Sequence, residues 1–332
     1  MSHEFPRRKF LRLGMAGLTA CNLLNATAQA TAPVGSTQPR EQPRPNAKQP
    51  TRFQIACMTL PYARFPLQRA LTGIRGAGYN FVAWGTTHME QAGGKQVPVL
   101  AADATPAQAR DLATRCRDLG LEPVMMFSGV YPEAKSGLEV LRQRILQAGA
   151  AKVPQVLTFG HTKGGNQKLW VERFKDLAPR ARDNGVIIVV KQHGGDTGTG
   201  VACARITREI NHENIKVNYD AGNVMDYLRV NPAQVLADLR ECAGEVRSFC
   251  IKDHRDFPPP HADCGPGLGE IDHYRLLHPV AFTGRTMPLC CENISAPRLP
   301  QPGKPEDVDA LASRAREFLD LVVRGIQAPA EK

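Results

Sequence analysis

Four charged side chains stand at the ends of apolar runs in this chain. Lys191 follows Val186-Ile187-Ile188-Val189-Val190, Asp220 follows Ile215 to Tyr219, Lys252 follows Val246 to Ile251, and Glu292 follows Met287 to Cys291. A carboxylate at the edge of a buried strand costs several kcal/mol unless a cation faces it. Asp220 and Glu292 therefore call for a metal ion or a lysine. Imidazoles occupy similar places: His161 after Val156 to Gly160, His193 two residues beyond Lys191, and His254 beyond Asp253. His88, Tyr131 and Asn223 complete a set able to hold, accept or release protons. Plainer readings stand beside these. His88 and Tyr131 read as loop residues, Asn223 as a helix cap, and Asp253 and His254 as partners that neutralise one another.

The elements that must position these groups follow from periodicity. Val186 to Val190 is an unbroken β-branched run, the mark of a strand covered on both faces. Further strands are expected at Phe53 to Met58, Tyr79 to Gly85, Pro123 to Phe127, Val156 to Phe159, Ile215 to Tyr219, Val246 to Ile251 and Met287 to Cys291. Amphipathic segments lie between them, among them Thr105 to Gly120, Gln167 to Asn184, Pro232 to Cys242 and Asp307 to Ile326. Eight strand-then-helix units predict an α/β fold, a closed (β/α)8 TIM barrel over residues 51–328, whose strand ends converge on one mouth. An open doubly wound sheet is the second choice, weakened because no Gly-x-Gly-x-x-Gly turn follows the first strand.

The amino terminus reads differently. Arg7-Arg8-Lys9-Phe10-Leu11 precedes a short apolar stretch, and Ala28-Gln29-Ala30 forms a small-residue cleavage site. Residues 1–30 resemble a twin-arginine signal peptide, which implies the export machinery as a partner and a periplasmic or secreted protein. The apolar stretch is too short to span a bilayer, so no transmembrane segment is expected in the mature chain. Leu18-Thr19-Ala20-Cys21 also resembles a lipoprotein processing site, making Cys21 a candidate lipid anchor. Residues 31–50, rich in Pro, Gln and Thr, read as a disordered linker. The formal charge of +10 is dispersed and aromatic content is 6%, which argues against nucleic-acid binding. Most of the nine cysteines fall in apolar strands or helices, as small buried thiols do.

Asn218-Tyr219-Asp220-Ala221-Gly222-Asn223, Ile251-Lys252-Asp253, Gly267-Leu268-Gly269-Glu270-Ile271-Asp272 and Cys291-Glu292-Asn293 resemble, in order and spacing, the xylose isomerase-like TIM barrel superfamily, the sugar phosphate isomerase/epimerase group. The resemblance implies a divalent metal (Mn, Mg, Co or Zn) held by Glu, Asp, His and Glu on strands five to eight. Asp220 and Glu292 match two ligands. Lys191 stands where the family has the first Glu, and Cys250 where it has the His. An ammonium beside a divalent ion is strongly repelled, so a metal-free site is favoured. The other possibility is a metal shifted toward His193, His254, Asp220 and Glu292 beside a neutral Lys191.

On this resemblance the chain is expected to be an exported isomerase or epimerase acting by proton transfer next to a carbonyl of an unphosphorylated sugar or keto-sugar. Lys191, Glu292 and His193 form the catalytic set. Glu292 takes a proton, and Lys191, tuned toward neutrality, returns it or stabilises an enediolate. His161, Lys252, Asn223 and His254 bind substrate. A non-catalytic sugar-binding barrel, a 3-keto-glycoside lyase or hydrolase using His161 or His254 as acid, and a Schiff base at Lys191 are the alternatives.

Overall fold

A computed structural model describes residues 49–91, 93–159 and 166–328. Arg7, Arg8, Cys21, nearly all of the expected linker and His161 lie outside these residues.

Eight parallel strands close a barrel in sequence order: β1 (Arg52–Met58), β2 (Phe81–Trp84), β3 (Glu122–Phe127), β4 (Gln155–Phe159), β5 (Ile187–Lys191), β6 (Ile215–Tyr219), β7 (Val246–Ile251) and β8 (Thr286–Cys291), with β8 returning to β1. The helices around it include α1 (Leu67–Gly76), α2 (Pro106–Asp118), α3 (Gly137–Ala151), α4 (Gln167–Asp183), α5 (Gly200–Ile210), α6 (Ala221–Leu228), α7 (Pro232–Cys242), α8 (His273–Leu277) and α9 (Pro305–Gln327). Thr105 and Asn231 cap α2 and α7 with reciprocal capping boxes, each followed by proline at the first helical position, which fixes where those helices begin.

Side chains alternate between two apolar clusters, as the two-residue period of a strand requires. Val189 joins a small cluster inside the barrel with Met58, Met125 and Leu157, whereas Ile188 and Val190 join the large cluster between sheet and helices. This parity aims the chemistry. Lys191 continues the inward row of Ile187 and Val189. Ile215, Val217 and Tyr219 face the helices, so Lys216, Asn218 and Asp220 face inward. The same count turns Lys252 and Glu292 inward beyond Cys250 and Cys290.

Three local features depart from the expectations. His88 does not lie in a loop: it sits in an antiparallel ribbon of Thr87–Met89 with Gln96–Pro98, buried, with Nε2 2.7 Å from Glu90 Oε1. A helix, α6, begins directly after β6, and its cap is Asp220 rather than Asn223. A second ribbon pairs Asp253–Arg255 with His261–Cys264 beyond β7. Among the described residues no helix is long and apolar enough to cross a membrane.

Candidate active site

Lys191 is 2% exposed, and its Nζ lies 2.8 Å from both carboxylate oxygens of Glu292 and 3.4 Å from Asp220 Oδ2. Strands five, six and eight thus bring one ammonium between two acids. Lys252 adds a second ammonium from β7. Its Nζ donates to Asn223 Oδ1 at 2.5 Å and Asp263 Oδ1 at 2.6 Å and stands 3.8 Å from Asp220 Oδ2. Gly222 makes room for that stem, since a Cβ there would sit 2.8 Å from Lys252 Cγ and Cε.

Asp220 is fully buried. Its Oδ1 accepts the Asn223 amide at 2.9 Å, and its own amide donates to Gln192 Oε1 at 2.7 Å. Asn223 Nδ2 in turn donates to the Gln192 carbonyl at 2.6 Å. Burial raises the Asp220 pKa to about 6, because Lys252 and Lys191 only partly offset the loss of water. Glu292 goes the other way. Burial would raise it, but Lys191 and then Lys252 hold it down at about 2.

These charges overturn two expectations about Lys191. Burial alone would lower its pKa, but Glu292 and Asp220 outweigh that and hold it above the ordinary lysine value. The amine is therefore a fixed cation rather than a near-neutral proton donor. A Schiff-base nucleophile, which needs the free amine, does not suit it either. Glu292, strongly ionised and chelating Lys191, is a weaker proton acceptor than Asp220.

His193 is half-buried, with Nδ1 3.1 Å from the Tyr131 hydroxyl and Nε2 3.2 Å from the Tyr227 hydroxyl. Burial, with Lys191 nearby, pushes its pKa down to about 4, so it is neutral near pH 7. A cavity of about 160 Å³ borders it, together with Phe159 and Tyr131. The rings of Phe127 and Phe159 lie 5.5 and 5.7 Å from Lys191 Nζ and connect the charged group to the hollows on that side of the mouth.

Asp253 and His254 do not neutralise each other. Asp253 accepts backbone amides from His254, Gly267 and Ile271 at 2.9 to 3.0 Å, so it organises the loop that carries Gly267 to Asp272. His254 instead places Nε2 3.0 Å from Asp256. Tyr227, Gln192 and Asp263 are members of the site absent from the sequence reading. Tyr227 lies on the unforeseen α6, and Asp263 returns on a ribbon with no motif to mark it.

Among the described residues, Asp220, Cys250 and Glu292 form one group of possible metal ligands, with ligand atoms within 4.8 Å of one another. The shifted set with His193 and His254 is not gathered: tyrosines hold the first and Asp256 the second. The three-residue set does not fit a divalent ion as it stands. Lys191 Nζ occupies the space between the carboxylates, and burial pushes the Cys250 thiol well up, away from the thiolate that binds metal.

The fold is shared with solved structures. A xylose isomerase-like TIM barrel protein from Mycobacterium smegmatis in complex with magnesium aligns with TM-score 0.63 at 17% identity, covering 84% of this chain and 98% of that one. L-ribulose 3-epimerase aligns with TM-score 0.61 at 18% identity, covering 84% and 99%. A fusion of a xylose isomerase-like barrel with 4-hydroxyphenylpyruvate dioxygenase aligns with TM-score 0.60 at 17% identity, covering 83% of this chain, which spans only 44% of the fusion's length. Among curated proteins none matches. The model of the xylose isomerase-like TIM barrel family matches residues 74–319, most of the described barrel, and the chain belongs to that family.

Proposed function

We propose that this chain is an exported sugar-modifying enzyme that moves a proton at the carbon next to a carbonyl of an unphosphorylated ketose or keto-sugar, as an isomerase or epimerase. The observation that carries the reading is the Lys191 ammonium clamped between Glu292 and Asp220 at the inner mouth of the barrel. A fixed cation in a water-poor site stabilises the negative oxygen that forms when a proton leaves the adjacent carbon. Glu292 takes two N–H groups of Lys191 at 2.8 Å and Asp220 Oδ2 stands farther off at 3.4 Å, so the third N–H is the one a substrate oxygen would share with Asp220. Asp220, with its pKa near 6, is the group tuned to take and return the proton at neutral pH. Neutral His193, with one ring nitrogen on each of two tyrosine hydroxyls, holds Tyr131 and Tyr227 in place at the rim to meet sugar hydroxyls, and Asn223, Lys252 and His254 complete the binding set.

An epimerase among the structural relatives supports the reaction class. Export through the twin-arginine route is supported by the paired arginines. The buried, unpaired state of every described cysteine is what folding in a reducing compartment gives, the state in which that route carries its proteins.

The test is solvent exchange. The EDTA-treated protein is incubated in D2O with a panel of unphosphorylated ketoses, and deuterium at the carbon beside the carbonyl is followed by NMR. Incorporation that added Mn²⁺ does not raise is expected. Ketose binding without exchange would instead make this a sugar-binding barrel. Cleavage of a 3-keto-glycoside in place of exchange would make it a lyase or hydrolase.

A further inference from the structure

The cavity at the carboxyl ends of β2 and β3 measures about 360 Å³. Its walls include Trp84, Thr87, Phe127, Ser128 and Ser136, and Arg144 is the one charged residue among its described lining. Arg144 is 7% exposed. It donates to the carbonyls of Ser128 at 3.1 Å, Ala101 at 3.3 Å and Leu100 at 3.1 Å, and to Gln147 Oε1 at 2.8 Å. Every one of these acceptors is neutral. Among the described residues no carboxylate meets this buried guanidinium, although buried cations are ordinarily paired. Nη2 makes one of its two possible hydrogen bonds, so one N–H is left over. Open space borders that nitrogen: a Cβ built on Gly129, which lines the same cavity, would meet only Arg144 Nη2, at 4.0 Å.

We infer that this cavity is an anion subsite that takes the carboxylate of a sugar acid, with Arg144 as its counter-charge. The assignment rests on the sugar reading above and narrows its substrate to uronic or keto-aldonic acids. Phe127 is the link between the two regions, lining the cavity and lying 5.5 Å from Lys191 Nζ. The four neutral bonds hold the guanidinium in place without satisfying its charge, so the carboxylate completes the set by a charge-assisted bond. The surrounding Trp84, Phe127 and threonine side chains suit the rest of a sugar.

Calorimetry on the full chain tests this with D-glucuronate, D-glucose, glucose 6-phosphate and inorganic phosphate as probes. Glucuronate is expected to bind about tenfold or more tighter than glucose, the order of one charge-assisted hydrogen bond. Arg144→Gln should erase that ratio. Because Arg144 also staples two loops, Ser136→Asp provides a second variant. Ser136 is the cap of α3 and makes no side-chain cap bond, so Asp is tolerated there while it places a negative charge in the cavity wall. It too should erase the ratio. Equal binding of glucuronate and glucose, or a ratio that survives both substitutions, overturns the subsite but leaves the sugar reading standing. Tighter binding of glucose 6-phosphate or inorganic phosphate overturns the carboxylate assignment. Failure of every probe to bind overturns the subsite, and the sugar reading is then decided by the ketose exchange test alone.

Discussion

The two sides of the barrel mouth are built on opposite electrostatic plans. Where β5 to β8 end, the Lys191 ammonium lies within 4 Å of both buried carboxylates, Asp220 and Glu292, and the Lys252 ammonium within 4 Å of Asp220. Where β2 and β3 end, there is a hollow with one guanidinium and no acid in its described walls. Charge balance explains the contrast. The first side is self-neutralising, so its groups tune each other's pKa values and serve chemistry. The second leaves a charge uncompensated and serves recognition. Substitutions can be chosen to damage one side and spare the other.

Lys191→Met should have the largest effect. It leaves Glu292 and Asp220 buried without their shared cation, which costs about 3–5 kcal/mol and lowers solvent exchange by a factor of about 10²–10³. Denaturant unfolding and deuterium incorporation measure the two losses. The preference for glucuronate over glucose should survive, and its disappearance would break the division between the two sides. Asp220→Asn should lower exchange about a hundredfold. The sign of the pH dependence follows from the raised carboxyl: below pH 6 Asp220 holds its proton and cannot act as base, so the wild-type kcat/KM should rise with pH through about 6.

Glu292 sets the acid limb of stability. Its pKa falls from the usual 4.5 to about 2 on folding. The stability it contributes is therefore complete above about pH 4.5 and is lost as pH drops toward 2. Glu292→Gln should flatten that limb, measured as the difference in Tm between pH 5 and pH 3. Tyr227→Phe should matter least. It removes one of the two hydroxyls on His193 at a partly exposed position, so unfolding should shift by under about 1 kcal/mol and KM by only a few-fold.

Much of this was readable in the chain. The eight apolar runs, the Asn231-Pro232 and Thr105-Pro106 helix starts and the acids after β6 and β8 all state their roles locally. Arg144 is legible in the same local way, although it stands outside the charged set at the strand ends. It lies three residues from Leu141 and four from Ala148, a cation on the buried face of α3. Asp263 carried no such mark, because a ribbon returns it to Lys252 from eleven residues further on.

The barrel is written in the local residue pattern, and strand parity turns Lys191, Asp220, Lys252 and Glu292 inward, since alternation along a strand is a local property of the backbone. Their charge states, by contrast, come from the folded arrangement. A pKa depends on distances and lost water between residues up to a hundred positions apart. Those distances made Lys191 a permanent cation, Glu292 its clamp and Asp220 the group poised near neutrality.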